Sequence, residues 1–197
     1  MKLVTTRLVI AKGEFPNSIE WARCVREIED AIRSVVWPSG STRFTICPDR
    51  GRSRGQGNGV KPIKMAFIQT LGRLGWSVKE RSNISRFDAV RSLSDGRKIG
   101  LEWETGNISS SHRSVNRILL SHLKKEIIAG VLVLPTRSLY QYLTDRVGNF
   151  QELEPYFPVW GAYPWNEGVL AIFAVEQDDT DSSVPRITKG TDGRALL

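Results

Sequence analysis

The chain has 197 residues, enough for one domain with a sizeable core, and its 40% hydrophobic and 25% charged residues match a globular protein. Its formal net charge of +7 suits a polyanionic partner, though simple solubility accounts for it equally well. Two cysteines, Cys24 and Cys47, speak for a reducing cytoplasm rather than a disulfide scaffold. The two histidines show no zinc-ligand spacing with them, and neither a Gly-x-Ser-x-Gly elbow nor a Gly-Lys-Ser/Thr phosphate loop is present, so zinc hydrolases, serine hydrolases and nucleoside triphosphatases are poor fits. No apolar run approaches membrane length and no signal-peptide pattern opens the chain.

In chain order, residues 1–12 read as a strand or an arm. Pro16, Asn17 and Ser18 precede a helix from Ile19 to Val36, with Trp21, Ala22, Val25, Ile28, Ile32 and Val35 at helical spacing and Cys24 in the core. Pro38 to Gly40 ends that helix, and Phe44 to Ile46 is a short strand. Arg50 to Gly59 is basic and glycine-rich, suited to lie along a phosphate backbone or to be a plain surface loop. Pro62 opens a second helix to about Leu74, facing Ile63, Ala66, Phe67, Thr70 and Leu71 inward, with Gly75 as its cap. Trp76 to Glu80 leads as a strand into the centre of the chain.

That centre is a β-hairpin, Arg86 to Val90 and Lys98 to Glu104, joined at Ser94, Asp95 and Gly96. Side chains alternate along a strand, so Glu102 and Glu104 share one face and Leu101 and Trp103 the other. With Gly96 left-handed in a three-residue loop, Leu93 pairs with Arg97 and Asp88 falls opposite Glu102. A two-residue turn at Asp95 and Gly96 would shift the register and turn Asp88 away. In the first register three acids converge, and an oxygen-binding divalent cation such as Mg²⁺ relieves their repulsion. The ordinary reading is a solvated acidic face over a Trp103 and Leu101 core. Glu80 is a possible fourth acid.

Thr105 to Arg113 reads as a helix start, with Asn and Ser as caps, and the helix continues to about Ile127 with Val115, Ile118, Leu119, Leu123 and Ile127 inward. Its first turn lies within a few residues of the acids, where free N–H groups attract phosphate. Asn107, Ser109 and Arg113 are suited there to base edges, or simply to capping and surface charge. Val131 to Leu134 is a buried strand. Pro135 and Thr136 start a helix with Leu139, Leu143 and Val147 inward, near whose end Asp145 and Arg146 form either a reading pair or a surface pair. Asn149 and Glu152 form a capping box. Gly168 to Val175 is a last strand, and residues 176–197 read as a polar C-terminal arm. The whole, 1–197, reads as a single α/β domain with a mixed β-sheet flanked by helices on both faces.

Residues Glu102 to Ser114, Tyr142 to Val147, Asn149 to Phe150 and Glu152 to Phe157 closely resemble the BamHI-type type II restriction endonucleases. Further echoes are Val36 to Pro38, Phe44 to Ile46, Asn58 to Val60 with Pro62 to Lys64, Val184 with Pro185, and Lys189 to Gly193. The resemblance implies the restriction-endonuclease-like fold and Mg²⁺-dependent hydrolysis of double-stranded DNA at the palindrome GGATCC, leaving 5′ overhangs. It implies a homodimer, a bacterial cytoplasmic location and a cognate DNA methyltransferase as functional partner. Matched residue by residue, Asp88, Glu102, Glu104 and Glu80 are its catalytic acids. Asp88, Glu102, Glu80 and the Trp103 backbone carbonyl are its metal ligands. Asn107, Ser109, Arg113, Asp145, Arg146, Asp192 and Gly193 are its DNA contacts. The alternative is a sequence-specific DNA-binding protein without cleavage activity. In this chain the 50–59 loop is longer and the 80–88 loop shorter than the family pattern.

Overall fold

The computed structural model describes residues 1–50, 56–78, 87–144 and 147–188. The central sheet has six strands in the order β1-β7-β6-β5-β4-β3. These are β1 (Lys2–Lys12), β3 (Ser77–Val78), β4 (Ala89–Ser92), β5 (Lys98–Trp103), β6 (Ala129–Pro135) and β7 (Gly168–Glu176). Pairs β5/β6 and β6/β7 are parallel; β1/β7, β4/β5 and β3/β4 are antiparallel. The two central parallel strands are buried on both faces, which is why β6 and β7 are almost continuous apolar runs. A small parallel pair, β2 (Thr45–Ile46) with β8 (Asp179–Thr180), lies apart.

Two cores flank the sheet. One gathers Trp21, Ile28 and Ile32 from α1 (Ile19–Arg33), Ile63, Phe67 and Leu71 from α2 (Val60–Arg73), and Leu101, Trp103, Val131 and Phe173 from the sheet. The other gathers Val115 and Ile118 from α3 (Ile108–Leu123), together with Phe150, Leu153, Phe157, Trp160, Leu132 and Ile172. The short helices α4 (Arg137–Tyr140), α5 (Phe150–Leu153) and α6 (Phe157–Gly161) complete the covering layers. The sheet is thus mixed and covered on both faces.

Local chemistry sets the element ends. The Ser18 hydroxyl caps α1 and the Asn107 side chain caps α3. Helix α2 starts two residues before Pro62, so the proline falls in its first turn, where no N–H is needed. It ends as expected at Gly75, which is left-handed while Trp76 N–H returns to the Leu71 carbonyl. On α1, Ala22 is exposed and the buried face carries Cys24 and Glu27 instead. Glu27 accepts from Arg23, the Trp76 indole and Arg91 at 2.9, 2.8 and 3.1 Å, tying α1 to the outer strands.

Several expectations fail here. Helix α1 stops at Arg33 rather than Val36, and the helix expected after Pro135 and Thr136 is the single turn α4, with Leu143 and Val147 buried beyond its end. Helix α3 stops at Leu123, because Lys125 takes a left-handed conformation and Glu126 N–H closes onto the Ser121 carbonyl. Leu123 is 65% exposed, and Ser111, Ser114 and Ser121 lie on the buried face with Val115 and Ile118. The start of the polar C-terminal segment is anchored. Asp178 accepts from the Met1 amine and Phe44 N–H, and buried Ile187 bonds to Asn58 and Gly59.

Candidate functional site

The hairpin register is the one that pairs Leu93 with Arg97. Ala89 faces Leu101, Val90 faces Gly100, Arg91 faces Ile99 and Ser92 faces Lys98. Gly96 is left-handed at the turn. One step beyond β4, Asp88 therefore stands opposite Glu102. Its Oδ2 accepts from the Trp103 N–H at 2.9 Å, fixing it at the C-terminal end of β5. Asp88, Glu102 and Glu104 are all buried.

Each acid has a different partner. Lys64 of α2 places its Nζ 2.7 Å from Asp88 Oδ2 and donates to the Trp103 carbonyl at 3.2 Å. Arg117 of α3 forms an ion pair with Glu102. Burial, and then the neighbouring Asp88, push the Glu102 carboxyl up to about 7, against the pull of Arg117 and Lys64. Glu104 continues the strand pairing through its N–H to the Val133 carbonyl. Its carboxylate accepts from Gly106 N–H at 2.5 Å and the Ser114 hydroxyl at 3.2 Å, so it is held toward α3.

The donor set suits a hard divalent cation: two carboxylates and a main-chain carbonyl, all oxygen. The Lys64 ammonium bonded to two of those oxygens marks a position where positive charge is favoured. Among the described residues no three acid, His or Cys side chains form a metal cluster by themselves. Glu80 lies outside the described residues.

The Asn107 cap of α3 stands three residues after Glu104, and Asn107, Ser109 and Arg113 are exposed. The Asn107 side chain accepts from Ser110 N–H and Arg113 donates to the Ser110 hydroxyl at 2.7 Å, so this first turn is pre-ordered. Asp145 and Arg146 lie outside the described residues, as do Asp192 and Gly193. The neighbours of the first pair are fixed close by, Gly148 N–H to the Gly106 carbonyl and Thr144 N–H to the Asn58 carbonyl. Sequence reasoning missed Lys64, Ser114 and Arg117. The available signal was position: Lys64 follows buried Ile63 on α2, and Arg117 lies one turn beyond Arg113 on α3.

A mixed sheet covered on both faces, with acids at the end of its central hairpin, is the architecture of the restriction-endonuclease-like nucleases. The crystal structure of restriction endonuclease BGLII complexed with a DNA 16-mer matches it with a TM-score of 0.63, covering 99% of this chain and 97% of that one at 10% identity. The family model "Restriction endonuclease BamHI" matches residues 1–194. The chain is 45% identical to the type II restriction enzyme OkrAI of Oceanobacter kriegii, over all of both chains. It is 35% identical to the type II restriction enzyme BamHI of Bacillus amyloliquefaciens, covering 85% of this chain and 80% of that one. The chain belongs to the BamHI family of restriction endonucleases and is a type II site-specific deoxyribonuclease. Among the described residues, no helix is long and apolar enough to cross a membrane.

Proposed function

We propose that this enzyme cuts double-stranded DNA at GGATCC, leaving 5′ overhangs, as a Mg²⁺-dependent homodimer with one copy on each half-site. The observation that carries the reading is the convergence of Asp88 and Glu102 at the end of β5 with the exposed, pre-ordered start of α3. Asp88, Glu102, the Trp103 carbonyl and Glu80 are the groups that would hold Mg²⁺, which when bound supplies Lewis-acid stabilisation of charge on the phosphoryl oxygens and acidifies water. Glu104 accepts the proton of the attacking water. Its two hydrogen bonds, from Gly106 and Ser114, hold the carboxylate in one orientation for that transfer. The α3 N-terminus offers backbone N–H groups to a phosphate, while Asn107, Ser109 and Arg113 reach base edges. Asp145 and Arg146 extend the major-groove contacts, and Asp192 and Gly193 lie in the arm that reaches the minor groove. A cognate methyltransferase protects the DNA of the bacterial cytoplasm in which the enzyme acts.

The test is digestion of a fully sequenced plasmid with and without Mg²⁺, with fragment ends mapped, for the wild type and Glu104→Ala. Mg²⁺-dependent cuts confined to GGATCC, lost in Glu104→Ala while specific binding persists, are expected. Cuts at another sequence would overturn the reader assignment, and normal cutting by Glu104→Ala would overturn its role. Specific binding without any cutting by the wild type would favour a non-cleaving DNA-binding protein.

A further inference from the structure

We propose that Lys64 is the site's internal counter-cation, holding in the free protein the position that a divalent ion takes, so that loading the ion requires the ammonium to swing out. This rests on the reading of Asp88 and the Trp103 carbonyl as ion ligands. The geometry is direct. Lys64 Nζ lies 2.7 Å from Asp88 Oδ2 and 3.2 Å from the Trp103 oxygen, so one positive head already uses both oxygens. A metal ion needs the same lone pairs, and like charges exclude each other at that separation.

The chemistry of the two heads, rather than their exposure, selects Lys64 over Arg117 as the group that yields. Buried Ile63 and Phe67 fix the α2 turn that carries Lys64, and both cations reach solvent, with 27% of the Lys64 side chain and 38% of the Arg117 side chain exposed. A lysine head on a four-carbon stem changes partners by rotation, whereas an arginine fork is pre-organised and gives up its contacts less readily. Arg117 stays on Glu102 and limits repulsion between the two acids. The arrangement holds down the ion affinity of the free enzyme. Incoming DNA supplies a phosphate as the new partner for the released ammonium.

The experiment is Mn²⁺ binding to the full-length, DNA-free protein, followed by electron paramagnetic resonance, for wild type, Lys64→Met, Lys64→Arg and Asp88→Asn. An adjacent opposite charge alters a carboxylate's proton affinity by roughly 10- to 1,000-fold, so Lys64→Met is expected to bind Mn²⁺ at least about tenfold more tightly than wild type. Lys64→Arg should keep the weak binding, because it keeps the charge, and Asp88→Asn should lose the site. Equal affinities in wild type and Lys64→Met, with Asp88→Asn impaired, would overturn the role of Lys64 and leave the ion site standing. Equal affinities in wild type and Asp88→Asn would overturn the ion site itself. A readout on the unaltered protein covers a Lys64→Met chain that does not fold. Acetylation of Lys64 by acetic anhydride, measured by peptide mass spectrometry, should accelerate severalfold at saturating Mg²⁺, and an unchanged rate would refute the displacement.

Discussion

Gly100→Ala reaches the candidate site without altering any of its polar groups. Gly100 pairs with Val90 across the hairpin, and the Phe87 ring covers it. A Cβ at Gly100 would lie 2.8–2.9 Å from three carbons of that ring. Carbon atoms pack at about 3.5–4.0 Å, so the ring must recede by roughly 0.6–1.2 Å. Phe87 is buried and directly precedes Asp88, so its retreat moves the carboxylate that is bonded to Trp103 N–H. Overpacking of this size costs about 1–3 kcal/mol in stability. A displacement near 1 Å of a reacting group costs about 100-fold in turnover. The exposed start of α3 is untouched, so specific DNA binding measured without metal should hold. Adding Phe87→Leu makes room for the new methyl and should return much of both losses. Urea unfolding of the two single variants and the double, with single-turnover cleavage, gives the complete cycle. A coupling energy below about 0.5 kcal/mol, or a stable Gly100→Ala protein that cuts at the wild-type rate, would refute the link from Gly100 through Phe87 to Asp88.

Arg113→Ala should weaken binding to GGATCC by about 1–3 kcal/mol and binding to random DNA much less, as a competition assay can measure; an equal loss on both would make Arg113 a phosphate contact. Leu123→Asp places a charge on a side chain that is 65% exposed at the end of α3, and if this end forms part of the proposed homodimer interface it should shift that dimer to monomer in sedimentation velocity. An unchanged dimer would remove this end of α3 from the interface. Burial holds the His122 imidazole down to about 4, where its Nδ1 has no partner among the described residues and the ring stands edge-on to Trp165. The folded state therefore binds fewer protons than the unfolded chain between about pH 4 and 6.5, so the stability this group contributes is complete above 6.5 and is lost as pH falls through that window. Urea midpoints across it should fall more steeply for the wild type than for His122→Gln, and parallel curves would refute the assignment.

The hairpin was legible because two independent signals agreed. Gly96 selected the loop and the alternation of Leu101 and Trp103 selected the face, and together they fixed Asp88 opposite Glu102. Helix α3 was misread at its buried face. It approaches β6 so closely that a Cβ on Gly130 would come within 2.1 Å of the Ile118 Cγ2. Ser111, Ser114 and Ser121 share the buried face with Val115 and Ile118, Ser111 against Gly148 and Ser114 on Glu104, and a face with three serines reads as polar. Its end was hidden as well, because Lys125 takes the left-handed turn usually marked by glycine. The phase of α3 in turn decides where Glu104 points, since its partner Ser114 is one of those serines. Lys64 and Arg117 escaped because a lone charge on a helix flank looks like surface until the opposing acid is placed against it.

The location of the site follows from the topology of one strand. Strand β5 has an antiparallel neighbour on one side and a parallel neighbour on the other. The antiparallel hairpin brings the first residues of β4, and with them Asp88, to the end of β5 where Glu102 and Glu104 stand. The parallel neighbour β6 requires a crossover, and the helix that makes it, α3, must begin at that same end of β5. A single strand end thus collects an acid from across the hairpin, its own two acids, and the N–H-rich start of a helix, which favours anionic ligands. Acids alone would repel a phosphate. Helices on opposite faces of the sheet answer this, α2 with Lys64 on Asp88 and α3 with Arg117 on Glu102, so the buried charges are paired before any substrate arrives. That pairing is also why the two cations should not be equivalent in mutagenesis. Removing Arg117 leaves Glu102 buried beside Asp88 with one fewer partner, a cost in folding. Removing Lys64 frees two oxygens that a divalent ion can fill, a change in ion affinity.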